Sequence, residues 1–196
     1  MRTVASDPGY GTVARLLHWG VALLVIAQIM IALRAWTLPV SDAKLSVLMQ
    51  HRSLGLTILV LIVIRLGWRW THAVPPLPRA VGAAPRALAR FNQYLLYALL
   101  LLLPISGLIM SQAAGVVVSW FGIFDLPNVV DTDPTLLGRM KFVHLLLNTV
   151  LFAAIALHLG GALRHGLWLK DGVFQRMLIG RSATRSNDRR GARRSV

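Results

Sequence analysis

The sequence predicts an all-α integral membrane protein, a four-helix bundle, and three observations carry that prediction. Of its 196 residues 56% are hydrophobic and the mean hydropathy is +0.62, a balance too apolar for an ordinary soluble domain. Four apolar stretches, Ala14–Trp36, Val47–Trp70, Leu88–Ala113 and Arg139–Trp168, are each long enough at about 1.5 Å per residue to cross a hydrocarbon layer of roughly 30 Å. Between them lie the turn-forming residues: Pro39 with Ser41 and Asp42, then the Pro75-Pro76-Leu77-Pro78 run, then Pro127 and Pro134.

The first stretch is longer than the apolar core of a secretory signal and is followed by no clear small-residue cleavage site, so it is expected to stay in the mature protein. In the third, Pro104 removes a backbone donor and is expected to kink the helix. The expected organisation is a short N-terminal segment over 1–13, the four-helix unit over 14–178 and a polar, Arg-rich tail over 179–196. That tail shows no hydrophobic periodicity and is expected to be disordered against anionic headgroups.

Charge sets the orientation. The stretch from Arg69 to Arg90 carries Arg79 and Arg86 with no acidic residue, and the tail adds six further arginines. Ser111–Gly138 instead has three aspartates and neither Lys nor Arg. Basic segments stay on the cytoplasmic side, so both termini and the second connection are expected there, and the first and third connections outside. The net charge of +14 is accounted for by this flanking pattern and by lipid contact, and nucleic acid is not an expected partner. There is no cysteine, which excludes disulfides, thiolate metal sites and covalently attached haem. There is no glutamate either, and all seven aspartates fall outside the strongly apolar runs, so carboxylate chemistry within the membrane is not expected.

Four of the six histidines, His18, His51, His144 and His158, lie well inside the expected spans, where an ionisable side chain is costly and marks function unless a bland explanation exists. A lone histidine on an apolar helix is more often a packing residue, but these four fall into a pattern. With alternating helix directions, His18 lies near the cytoplasmic end of helix 1 and His51 near the outer end of helix 2. Helix 4 carries His144 near its outer end and His158 fourteen residues later. That spacing is nearly four turns, on almost the same face and roughly 21 Å further along. Matching by depth pairs His18 with His158 and His51 with His144. Pairs of neutral imidazoles suit the two axial positions of a low-spin haem iron, which changes oxidation state with little rearrangement and has no open position for oxygen. Such pairs, with no carboxylate or thiolate at the same depth, supply too few ligands for zinc or copper.

Arg15, Arg52, Arg65 and Lys141 lie near the expected interfaces, where they can pair with haem propionates or anchor in headgroups. Gly55, one turn after His51, allows close approach of a macrocycle or of another helix. The six tryptophans sit near span ends or in the third connection, as an interfacial belt does, and His72 ends helix 2 as a loop residue. His165 follows His158 by seven residues, two turns nearer the cytoplasm on a similar face. With Lys170 and Asp171 just beyond, it is the candidate for protonating a quinone, since imidazole titrates near neutral pH.

These residues resemble the bacterial cytochrome b561 family, compact four-helix dihaem membrane proteins, over about Arg15 to Leu178. The resemblance is carried by Arg15-Leu16-Leu17-His18-Trp19, by His51 with Gly55 and Val63-Ile64-Arg65-Leu66, and by Tyr97 with Pro104-Ile105-Ser106-Gly107. It continues from His144 through Leu157-His158, Arg164-His165, Lys170-Asp171 and Arg176-Met177. It implies two haem b groups held by His18, His51, His144 and His158 in a bacterial inner membrane. Some members have a histidine near the start of helix 3, where this chain has Arg90 and Gln93. The activity it implies is oxidation of superoxide on the outer face with ubiquinone as acceptor, with Lys44, Arg52, Arg139 and Lys141 supplying positive potential beside an acidic outer connection. The other reading is a noncatalytic electron-transfer subunit passing electrons between quinone and a periplasmic redox protein. A purely structural bundle whose histidines bind nothing is the third.

Overall fold

A computed structural model describes residues 9–72, 82–178 and 180. The proline run of the second connection and nearly all of the basic tail lie outside the described residues. The order is α1 (Thr12–Thr37), α2 (Asp42–Thr71), α3 (Ala83–Ala113), a hairpin of β1 (Ser119–Trp120) and β2 (Phe124–Asp125), α4 (Pro134–Leu163), a π-helical turn over Arg164–Leu169 and α5 (Val173–Leu178). Four helical segments, α1, α2, α3 and α4 with its π turn, are long and apolar enough to cross a membrane. Their middles expose Leu23, Ile26, Met30, Val60, Val63, Leu145 and Phe152, a surface that suits lipid and not water. The chain is a multi-pass membrane protein.

All four long helices start earlier than the apolar runs, and at α2 and α4 a side-chain cap fixes the start where hydropathy does not. Ser41 Oγ accepts from the Lys44 amide at the head of α2. Asp133 accepts from the amides of Thr135 and Leu136, with Pro134 at the first helical position of α4. Gly82 precedes α3, which continues unbroken in the backbone pattern past Pro104 to Ala113. The boundary expected at residue 14 falls inside α1, which begins at Thr12.

α3 is the middle helix, packed against α2 on one side and α4 on the other, while α1 packs on α2. One core cluster joins Val21, Ile58, Ile62 and Tyr97 across α1, α2 and α3. A second joins Leu99 and Leu103 of α3 to Leu151 and Ala154 of α4. Lipid gives no hydrophobic drive for helix association, so close approach of backbones matters. The buried faces carry small residues accordingly: Ser53 and Gly55 on α2, Ser106 and Ser111 on α3. Neither α1 nor α2 packs its backbone closely on α4.

Both ends carry elements that hydropathy does not forecast. At one end, the hairpin pairs Ser119 with Asp125 and Trp120 with Phe124, turning through Phe121 (φ 51°) and Gly122 (φ 72°). Ser53, 0% exposed, holds it to α2, its hydroxyl lying 3.1 Å from the Ser119 carbonyl and accepting from the Phe121 amide at 2.9 Å. Trp120 Nε1 donates to Thr57 Oγ1 at 3.1 Å. At the other end the chain leaves the π turn through Lys170 (φ 47°) and Gly172 (φ 82°), and α5 folds back to α1. There the Met177 carbonyl accepts from Trp19 Nε1 and the Leu178 carbonyl from Arg15 Nη1, both at 3.1 Å.

Ser53→Ala removes the acceptor of the Phe121 amide and the anchor of the hairpin, and should cost about 1 kcal/mol. Thermal unfolding in detergent should show a lower midpoint; an unchanged midpoint would mean the hairpin is not held through this hydroxyl.

Candidate functional site

The two histidine pairs expected from depth are each brought together. His18 on α1 and His158 on α4 have ring centroids 6.1 Å apart, their planes at 60°. A metal ion about 2.0–2.1 Å from an imidazole nitrogen lies about 3 Å from that ring's centroid, so two rings flanking one ion have centroids about 6 Å apart. The separation therefore fits two imidazoles flanking one metal ion. At the other level His51 of α2 faces His144 of α4 within range of electrostatic interaction. Among the described residues no group of three or more His, Cys, Asp or Glu gathers into a chelating cluster.

Each ring has partners that define it. The Ser106 hydroxyl lies 2.9 Å from the Leu103 carbonyl and 2.9 Å from His144 Nδ1. When it donates its single hydrogen to the carbonyl it accepts from Nδ1–H, an arrangement that leaves Nε2 free for a metal. Gly107 makes room for this ring: a Cβ there would lie 3.3 Å from His144 Cε1. Gln28 of α1 reaches across to His51, its Nε2 donating to the backbone carbonyl at 2.9 Å and lying 3.2 Å from ring Nε2. His51 Nδ1 is buried without a hydrogen-bond partner. A buried polar atom so stranded costs about 1–3 kcal/mol, a cost that a bound metal removes.

Arg65 lies close enough to both His18 and His158 to act on each electrostatically. It donates through Nε to Tyr97 Oη at 3.0 Å and through Nη1 to the Ala14 carbonyl at 3.4 Å, while Arg69 donates to Gln93 Oε1 at 3.0 Å. The two guanidiniums border a cavity of about 250 Å³ shared with Tyr10, His72, Gln93 and Tyr97. Burial pushes the Tyr10 phenol above its usual pKa although Arg69 and Arg65 pull it down, so it stays protonated and able to donate.

The other expected site residues divide. Arg65 stands beside the His18 and His158 pair. Arg52 Nε donates to Ser111 Oγ at 3.1 Å, and its charge reaches His51. Arg15 is turned toward the Leu178 carbonyl and Thr12 Oγ1, and Lys141 is exposed on α4. Gly55 is buried, but the group against it is Gln28, whose Nε2 would be 3.3 Å from an added Cβ. His165 and Asp171 meet: Nδ1 is 2.6 Å from Oδ2, and Asp171 Oδ1 also caps α5 at the Val173 amide. His165 sits within the π turn, so the 3.6-residue period that places it on the His158 face stops short of it. Lys170 is exposed beside it. His72 is exposed and stacked on Trp68, 3.7 Å between centroids. Gln28, Asn92, Arg69 and Tyr97 are the contributors that sequence reading did not assign to a site, and the lone Gln28 in an apolar run was the signal available.

Four membrane helices presenting two imidazole pairs define a membrane cytochrome of the b type. The family model described as prokaryotic cytochrome b561 matches residues 9–180, and the chain belongs to that family. It is 30% identical over 171 residues to cytochrome b561 homolog 2 of Escherichia coli (strain K12), covering 86% of this chain and 90% of the relative. It is 32% identical over 165 residues to the probable superoxide oxidase CybB of Yersinia pestis, covering 83% and 91%, and 27% identical over 163 residues to cytochrome b561 homolog 1 of the same E. coli strain, covering 83% and 92%. Membership makes the chain a haem b protein of membrane electron transfer.

Gly107→Val should push the His144 ring aside and lower the haem-to-protein ratio, since a Cβ there already meets the ring. Pigment content measured against unchanged helical circular dichroism checks this; full haem content would show that the ring does not need the space.

Proposed function

We propose that the chain holds two haem b groups, one between His18 and His158 and one between His51 and His144, and moves electrons from superoxide outside the bacterial inner membrane to ubiquinone. What carries the reading is the pairing of imidazoles at two levels of one bundle, roughly 21 Å apart along α4, which is the layout of a transmembrane electron path. The relative named probable superoxide oxidase, 32% identical over most of both chains, supports the choice of substrate. The basic second connection and tail support cytoplasmic termini, which puts His51 and His144 outside and His18 and His158 inside. Bound haem supplies one-electron carriers that cycle without opening an axial position.

In the balanced reaction two superoxide anions each give up one electron and leave as dioxygen, while one ubiquinone takes both electrons and two protons to become ubiquinol. Exposed Arg139 and Lys141 and half-buried Arg52 supply positive charge for an anionic substrate at the outer end. At the inner end His165 holds its Nδ1 toward Asp171, leaving Nε2 to pass a proton to a quinone oxygen, with Lys170 as a nearby charge. A noncatalytic electron-transfer subunit is the second reading. It is favoured by exposed Asp125, Asp131 and Asp133 on the outer connection, which suit a basic periplasmic redox protein better than an anion.

Superoxide added to the oxidised protein should reduce both haems, and a ubiquinone analogue should reoxidise them; an unresponsive spectrum favours the partner-subunit reading. Replacing His18 or His158 with Ala should remove one haem, and replacing His51 or His144 the other, so loss of both or neither defeats the pairing. His165→Gln should slow quinone reduction about 100-fold, the lower end of general acid catalysis, with haem content and reduction by superoxide unchanged. Unaltered turnover removes His165 from the quinone site.

A further inference from the structure

α4 provides one ligand to each proposed site, and α3 lies directly against it. The hydrogen bond between Ser106 and His144, that from the Asn92 amide to the Ala154 carbonyl at 3.2 Å, and that from the Asp133 amide to the Ala113 carbonyl at 3.0 Å show the two helices running antiparallel in one register. Asn92 precedes Ser106 by fourteen residues, the same separation that takes α4 from His144 to His158. In antiparallel helices equal spacings keep equal levels, so Asn92 stands level with His158 as Ser106 does with His144. The bond to the Ala154 carbonyl places the Asn92 side chain within one turn of His158, since residue 154 precedes it by four positions on the same face.

Asn92 is 4% exposed, and its Oδ1 is buried without a hydrogen-bond partner. An amide oxygen stranded in a membrane protein interior is costly. The Ala154 carbonyl does not account for the residue, since within α4 it already receives the backbone amide of His158. A metal-ligating imidazole, in turn, nearly always donates its second ring nitrogen to an oxygen, which fixes the tautomer, turns the ring and raises its basicity.

We propose that α3 is the positioning helix for both α4 ligands: Ser106 accepts from His144 Nδ1–H, and Asn92 Oδ1 accepts from His158 Nδ1–H when that ring binds iron. Each α4 imidazole then presents Nε2 to its site from a fixed orientation, and α3 tunes the two haems separately although one helix ligates both. The inference rests on the ligand assignment above, which the histidine replacements test by haem loss; its own test reads potentials in protein that keeps both haems.

An acceptor on Nδ1–H makes imidazole a stronger donor and favours ferric iron, so removing the acceptor should raise the midpoint potential. In a potentiometric titration that resolves two steps, Ser106→Ala should raise one step and Asn92→Leu the other. Each change should be about tenfold in the reduction equilibrium, about 59 mV for one electron. Ser106→Thr, which keeps a hydroxyl able to bond the same carbonyl, should restore the original value. Potentials unmoved in both variants, or the same step moved by both, would overturn the proposal. Should Asn92→Leu lose haem, hydrogen exchange on the reduced wild-type protein decides: slow exchange at Nδ1–H of both His144 and His158 supports it, and rapid exchange at His158 overturns it.

Discussion

A histidine ring taken into hydrocarbon carries two nitrogens that water no longer solvates, and each must find a partner within the bundle. That requirement organises this structure more than any apolar contact. α4 holds two such rings on one flank, α1 and α2 each answer with another, and the remaining nitrogens are met from neighbouring helices: Ser106 at His144 and Gln28 at His51. The polar residues buried in the spans are accordingly few and stand close to a ligand level. In a medium where leucine gains nothing by leaving lipid for protein, these bonds and small-residue contacts select which faces meet.

The same constraint explains the uneven packing. α3 touches both α2 and α4 closely, and α1 touches α2, whereas α1 and α2 stand off from α4. The helices kept apart are those whose imidazoles oppose each other, and the helices in close contact are those that carry Ser53, Gly55, Ser106 and Gly107 against a neighbour. Gly107 serves contact of another kind, the edge of the His144 ring resting where a side chain would begin.

The bundle is closed at each end by a short element that crosses between helices. The hairpin lies over the outer end of α2 through Ser53 and Thr57. α5 returns from α4 to α1 through Trp19 and Arg15, and the π turn before it brings His165 to Asp171. Both closures use backbone carbonyls or amides that a span leaves over at its ends, so the least regular parts of the chain are also where its unsatisfied groups are consumed. The dyad of His165 and Asp171 forms in one of them, at the same end of the bundle as His18 and His158.

The number of spans and their approximate limits were determined by the sequence, and the expectation that His18 meets His158 and His51 meets His144 came from it too, because hydropathy over twenty residues and a fourteen-residue spacing on one helix are local properties. The family resemblance was legible for the same reason, resting on motifs such as Arg15 to His18 and Lys170-Asp171. The tertiary structure alone decided that Arg15 reaches α5, that Gln28 lies against Gly55, and that Ser106 meets His144 while Asn92 bonds the Ala154 carbonyl. Those facts depend on the register of one helix against another, set by side-chain shape and hydrogen bonding between residues far apart in the chain. The π turn and the hairpin escaped for a related reason: neither has a hydrophobic period, and both are held by contacts to α1 and α2 that no local pattern records.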